Sequence, residues 1–227
     1  MTENQKLKLE LLKEFYTMEN SVEFCREAYK FIVEDSEKES KDCPPVTVCE
    51  KRQDGIYLVY DTGIAQLFTK GLVRSYADNV KYIGIVYDGH AFCVALKSLG
   101  EYSLVRDSSE CPKKHPLYIE KECDALFDWD CVERTKHIQE VGTDIPLEEG
   151  EFIPSLPMLV VMCHWKDRIN EALEFVGGDI LGEDFYWSST ENSATYAWSI
   201  FFSGGTVDYN NYKSYAYVVR AVTAFNV

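Results

Sequence analysis

The side chains best suited to proton transfer near neutral pH are four histidines, His90, His115, His137 and His164, separated by 25, 22 and 27 residues. That spacing puts no two of them on one helix face, and no CxxC, HExxH or GxSxG motif accompanies them. Cys111, His115, Cys123 and Cys131 follow one another at intervals of 4, 8 and 8, which match no common zinc-ligand spacing. Gly204-Gly205 lacks the following helix and lysine of a phosphate loop. No catalytic residue, no metal ligand and no cofactor is therefore expected.

The chemistry that does concentrate is recognition chemistry. Between Phe185 and Phe225 the chain reads FYWSSTENSATYAWSIFFSGGTVDYNNYKSYAYVVRAVTAF. Alternation in a strand over Tyr196 to Ser203 sets Trp198, Ile200 and Phe202 on one side and Ser199, an exposed Phe201 and Ser203 on the other. Tyr209, Asn210, Asn211, Tyr212, Ser214, Tyr215 and Tyr217 then crowd one short interval. Tyrosine offers a large amphipathic contact area at low rotamer cost, and Ser, Asn and Gly hydrogen-bond adaptably, which is the composition of antibody paratopes. Composition alone also fits a Tyr-rich sheet with a polar outer face.

Regular elements must hold this segment. Apolar residues at helical spacing from Leu7 to Glu34 predict one long helix; Leu11, Phe15, Met18, Val22, Cys25, Tyr29 and Ile32 keep the spacing of a coiled-coil seam. Homo-oligomerisation through that helix is one expectation, and packing of the stripe on its own domain is the other. Asp35 to Pro45 (DSEKESKDCPP) reads as a linker. Period-two patterns predict strands around Ile56, Leu58 and Tyr60, then over YIGIVY (82–87), AFCVAL (91–96) and YSLV (102–105), with Asp88-Gly89 as a hairpin turn. Loops with one short helix over Val132 to Val141 are expected up to Gly150. Ser155 is placed to cap a helix carrying Pro157 in its first turn, and a second helix runs from Lys166 to a stop at Gly177-Gly178. The expected division is 1–45, helix and linker, and 46–227, a ligand-binding domain, of class α+β.

Composition limits the partners. The 227 residues carry 38 acids against 23 Lys and Arg, a formal charge of −15, which repels nucleic acid and anionic lipid surfaces. No apolar run approaches the roughly 18 residues of a membrane helix, so no membrane insertion is expected. The opening MTENQKLKLE has no basic region before an apolar core, so no signal peptide is expected, and synthesis in the cytoplasm with eight free cysteines is the reading.

The run YWSSTE (186–191), then Ala197-Trp198, Phe202, Gly205 and VRAV (219–222) resembles the C-terminal cassette of variable proteins of diversity-generating retroelements, in the branch common in gut bacteria and their phages. The likeness extends over about Tyr82 to Val227 and is strongest in the last forty residues. It implies a C-type-lectin-like fold whose cassette displays diversified residues on a rigid scaffold. Diversification in that family rewrites adenines, which excludes Lys, Glu, Gln, Met and Trp from rewritten codons. Those five types number 49 in residues 1–191 and two, Trp198 and Lys213, in the 26 residues from Asn192 to Tyr217, where about seven would follow from the earlier frequency. Glu-Pro-Asn, Gln-Pro-Asp and Trp-Asn-Asp motifs of calcium-dependent lectins are missing, so calcium and sugar binding do not carry over. A cysteine near the C-terminus, as in the related formylglycine-generating enzymes, is missing too, since the last one is Cys163.

The resemblance and the composition together predict a non-enzymatic protein that binds a protein or glycan ligand, with receptor binding by a phage as one use. Trp187, Trp198, Ile200, Phe202 and Val219 are expected to hold the scaffold, and Arg220 to pair with Glu191. The expected contact set is Asn192, Ser193, Ala194, Thr195, Tyr196, Ser199, Phe201, Ser203, Thr206, Asp208, Tyr209, Asn210, Asn211, Tyr212, Ser214, Tyr215 and Tyr217. The alternative is a structural module of a phage or surface assembly whose Tyr-rich face is a permanent subunit interface.

Overall fold

The computed structural model describes residues 53–225. The expected helix over 7–34, its linker and its role in oligomerisation lie outside the described residues. Ten strands and four helices follow in the order β1 (Gly55–Tyr60), β2 (Ala65–Leu67), β3 (Val80–Tyr87), β4 (His90–Ala95), β5 (Gly100–Tyr102), α1 (Glu122–Ala125), α2 (Cys131–Val141), α3 (Leu156–His164), α4 (Lys166–Val176), β6 (Phe185–Glu191), β7 (Tyr196–Phe201), β8 (Thr206–Tyr212), β9 (Tyr217–Val219) and β10 (Val222–Ala224). They form two five-stranded sheets, β10-β4-β3-β1-β2 and β5-β9-β6-β7-β8. Pairing is antiparallel except between β6 and β9. Mixed helices and antiparallel sheets make the chain an α+β protein.

Local chemistry accounts for most boundaries. Asp88 (φ 45°) and Gly89 (φ 77°) both take positive φ in the two-residue turn joining β3 to β4, the conformation such hairpins demand. Asp130 caps α2, its carboxylate accepting from the N–H groups of Val132 and Glu133. Gly177 (φ 76°) ends α4 in the left-handed region, while the Gly178 N–H bonds back to the Leu173 carbonyl at 2.8 Å. One expectation fails here: Ser155 precedes α3 but does not cap it. Its hydroxyl is buried without a hydrogen-bond partner, and the Leu156 N–H donates instead to Thr190 Oγ1, 3.1 Å away on β6. The YSLV strand is also shorter than expected, because Leu104 and Val105 turn inward as buried loop residues beyond β5.

Leu156, Leu159, Met162, Ile169, Ala172 and Leu173 of α3 and α4 pack with Ile56, Leu58, Ile83 and Ile85 of the first sheet and Tyr186, Trp198, Ile200 and Phe202 of the second. A second cluster, including Leu104, Val105, Ile138 and Ile153, covers Trp187, Ala197 and Val219. The two clusters hold β6 between them, and every residue from Tyr186 to Glu191 is buried.

Candidate functional site

The exposed tyrosines sit at an edge. β8 is the outermost strand of its sheet, paired only with β7. Tyr209, Tyr212 and Tyr215 keep 42%, 43% and 46% of their surface in solvent. Tyr196 lies opposite Tyr212 in the β7–β8 register, with ring centroids 4.8 Å apart. Contact continues from Tyr212 to Tyr215 (5.4 Å), from Tyr215 to Tyr217 (6.0 Å) and on to Phe185 (4.9 Å), which stacks on Phe201 (4.7 Å). Tyr209 stands apart from this row and leans on Trp198 at 5.6 Å. The Tyr212 hydroxyl, hydrogen-bonded to that of Tyr196, holds the Tyr196 phenol above its ordinary value.

The expected contact set divides. Ser203, Thr206, Tyr209, Asn210, Tyr212, Ser214 and Tyr215 are exposed; Asn192, Ser193, Ala194, Thr195, Tyr196, Phe201, Asp208 and Tyr217 are partly buried. Several polar groups in the second set are already engaged. Ser193 Oγ accepts from the Thr195 and Tyr196 N–H groups, Asn192 Nδ2 donates to the Ile119 carbonyl, and Asp208 accepts from the Asn210 N–H. Ser199 and Asn211 are buried, which corrects their placement on an open surface. Tyr217 donates to Asn211 Oδ1 (2.6 Å) and Asn211 Nδ2 to Ser199 Oγ (2.8 Å), a chain that satisfies all three groups away from water. Phe201 is half-buried rather than exposed, because Phe185 lies against its ring.

Simple alternation missed the burial of Asn211 because β8 carries a bulge: Ala197 pairs with Asn211 but Ser199 pairs with Asp208, so two steps on β7 match three on β8. Tyr196 and Tyr212 consequently share the Trp198 side of the sheet, while Ser199, Phe201 and Asn211 share the other. Tyr196 and Tyr212 lie at the end of the β7–β8 ladder away from its tight turn.

Beneath the rings lies a buried polar cluster that motif reading did not assemble. Lys213 and Glu191, both fully buried, form an ion pair, and the second Glu191 oxygen meets His137 Nδ1 at 2.6 Å. Cys111 Sγ lies 3.7 Å from Lys213 Nζ, the Tyr118 ring faces that ammonium at 4.9 Å, and His115 stacks on His137 at 4.0 Å. Burial alone would push the Glu191 carboxyl up. The hydrogen bond from His137 and the charge of Lys213 outweigh it and hold the group below its ordinary range. Beside it, Asp128 pairs with Arg134 and accepts from Thr190 Oγ1. The one sequence signal for this cluster was Lys213 itself, a lone lysine in a stretch otherwise free of that type.

Arg220 does not reach Glu191, contrary to expectation. Its guanidinium donates to the backbone carbonyls of Ala95, Asp179 and Ile180, tying β9 to the first sheet and to the segment after α4. Of the four cysteine and histidine residues weighed as zinc ligands, Cys111 contacts Lys213, Cys123 contacts Asp124 and Cys131 is packed in the core. No group of three or more His, Cys, Asp and Glu able to hold a metal occurs among the described residues. A surface depression of about 510 Å³ lined by Tyr60, Asp61, Ile64 and Tyr76 belongs to the first sheet, and no cassette residue lines it. Among the described residues no helix is long and apolar enough to cross a membrane.

Neither a protein-family model nor a curated protein matches the sequence. Among solved structures, a fimbrial protein from Bacteroides ovatus ATCC 8483 is similar at a TM-score of 0.46 and 14% identity, over 76% of this chain and 49% of that one. The chain thus spans about half the length of that protein.

Proposed function

We propose that the chain is a non-enzymatic ligand-binding protein with a C-type-lectin-like scaffold, and that its Tyr-rich edge is a diversifiable recognition surface of the kind carried by retroelement variable proteins. The observation that supports this best is the abrupt change of environment within β8 and its turn. Tyr209, Tyr212 and Tyr215 stand in solvent while Asn211 and Lys213, one residue from Tyr212 on either side, are buried. The two residues between Asn192 and Tyr217 whose types adenine rewriting cannot produce, Trp198 and Lys213, occupy buried positions. Fixed residues anchor the segment from within, and tyrosine rings offer rigid, amphipathic anchors outside. The carboxylate of Glu191 is saturated by Lys213 and His137 and closed to solvent, which suits a scaffold better than an acid–base site.

Labelled protein applied to a panel of intact gut-bacterial cells is the test. Tyr209→Ser, Tyr212→Ser and Tyr215→Ser together are expected to weaken binding at least about thirtyfold, the equivalent of one 2 kcal/mol hot spot, with an unchanged melting temperature. Equal binding by the triple variant would sink the reading. Self-assembly of the wild type that the triple variant abolishes would assign the rings to a permanent subunit interface instead. Diversification predicts a near-identical downstream copy of the cassette in the genome, differing at adenines and adjoining a reverse transcriptase.

A further inference from the structure

The polar cluster beneath the rings holds a thiol that ligand binding does not use. Cys111 is 6% exposed and follows the short 3-10 helix Ser108–Glu110, its N–H donating to the Ser108 carbonyl. Its Sγ meets Lys213 Nζ at 3.7 Å, and that lysine is closed to solvent. The backbone of Lys213 is fixed on both sides: its N–H donates to the Thr195 carbonyl at 3.0 Å, and its carbonyl accepts from the Leu104 N–H at 2.8 Å. Two reactive atoms held this close gain the advantage of an intramolecular reaction. A cysteine oxidised to its sulfenic acid is ordinarily captured by a second thiol. Among the described residues, the apolar cluster around Cys111, which includes Leu104, Val105 and Ile138, contains no other cysteine. The nucleophile in reach of its sulfur is the amine of Lys213.

We propose that Cys111 and Lys213 form a covalent sulfur–nitrogen crosslink when the protein meets a peroxide, with Glu191 receiving the proton that the lysine must lose. Hydrogen peroxide first oxidises the thiol to the sulfenic acid and releases one water. Lys213 then passes one ammonium proton to Glu191, its ion-pair partner. The freed amine attacks the sulfenic sulfur: the S–N bond forms, the S–O bond breaks, and the hydroxyl leaves with a second amine proton as water. Sulfur gives up two electrons and the peroxide takes them. Charge stays balanced in the interior, because the ammonium disappears as the carboxylate is neutralised. With the ammonium consumed, a charge that holds Glu191 low is gone, and burial favours the protonated acid. The bond ties the residue after β8, between Tyr212 and Tyr215, to the loop that follows β5. It is independent of the ligand-binding reading.

Burial raises the Cys111 thiol above its ordinary value, and the Lys213 ammonium offsets only part of this, so the oxidation calls for excess peroxide. The full-length protein is treated with hydrogen peroxide, denatured in N-ethylmaleimide to block free thiols, digested with trypsin without reductant and read by mass spectrometry. The expected product is a pair of peptides joined through Cys111 and Lys213, about 2 Da lighter than the two summed, with tryptic cleavage after Lys213 lost. Dithiothreitol should release both residues and restore the cleavage. Cys111→Ser given the same peroxide is expected to cleave normally after Lys213; loss of cleavage in that variant would show that the lysine is modified on its own and overturn the crosslink. Cys111 recovered as a sulfinic acid, or in a disulfide with another cysteine, beside an unmodified Lys213 also overturns it. So does a Cys111 that remains a free thiol up to the peroxide dose that unfolds the protein.

Discussion

Lys213 stands among residues suited to the surface, in the sequence YNNYKSY, and is fully buried. Its ammonium belongs inside because Glu191 is there to receive it, and Glu191 is held in turn by His137. Removing one partner of such a pair leaves an uncompensated charge in the interior, so Lys213→Ala is expected to lower unfolding free energy by about 3–5 kcal/mol in urea titrations. The pH dependence follows from the depressed Glu191 carboxyl. Its stabilising contribution is complete above the unfolded value of 4.5 and is lost as pH falls below that toward the lower folded value. Urea midpoints between pH 6 and pH 3 should fall in the wild type and fall less steeply in Glu191→Gln. A slope identical in the two proteins would show that the pair does not couple to stability. Neither partner's role was legible in one dimension, since Glu191 was assigned to Arg220 and His137 to no partner at all.

Among the elements, α2 matters because it carries both Arg134 and His137 into the polar cluster. Its first turn depends on Asp130, whose carboxylate takes two N–H groups. Asp130→Ala should cost about 1 kcal/mol, and calorimetry should read this as a fall in melting temperature of roughly 2–4 °C. Elements of this kind were legible in advance wherever the cause is local. The Gly177-Gly178 stop marked the end of α4, the alternation marked β1, β3 and β4, and Asp88-Gly89 marked the turn between the last two. Where the cause is a partner distant in the chain, the sequence misled: Thr190 rather than Ser155 satisfies the start of α3, and a one-residue bulge in β8 turns Asn211 inward onto Ser199.

For the molecule as a whole, the charge of −15 carried by 227 residues sets up self-repulsion that burial must overcome. Screening relieves it, because the Debye length contracts from about 30 Å at 0.01 M salt to about 8 Å at 0.15 M. The urea midpoint should therefore rise over that range of sodium chloride; a fall would mean that attractive pairs such as Lys97–Asp179 and Arg106–Asp144 dominate the surface field. The amino-acid sequence by itself determined the α+β class, the tight turn at Asp88-Gly89 and the concentration of tyrosines near the C-terminus, because periodicity, turn preference and composition act between residues close in the chain. Only the tertiary structure decided which of those tyrosines meet water, that Lys213 neutralises Glu191, and that Arg220 ties strands through backbone carbonyls. Those outcomes depend on strand register and on contacts between residues 22 to 125 positions apart, and neither leaves a mark in a local pattern.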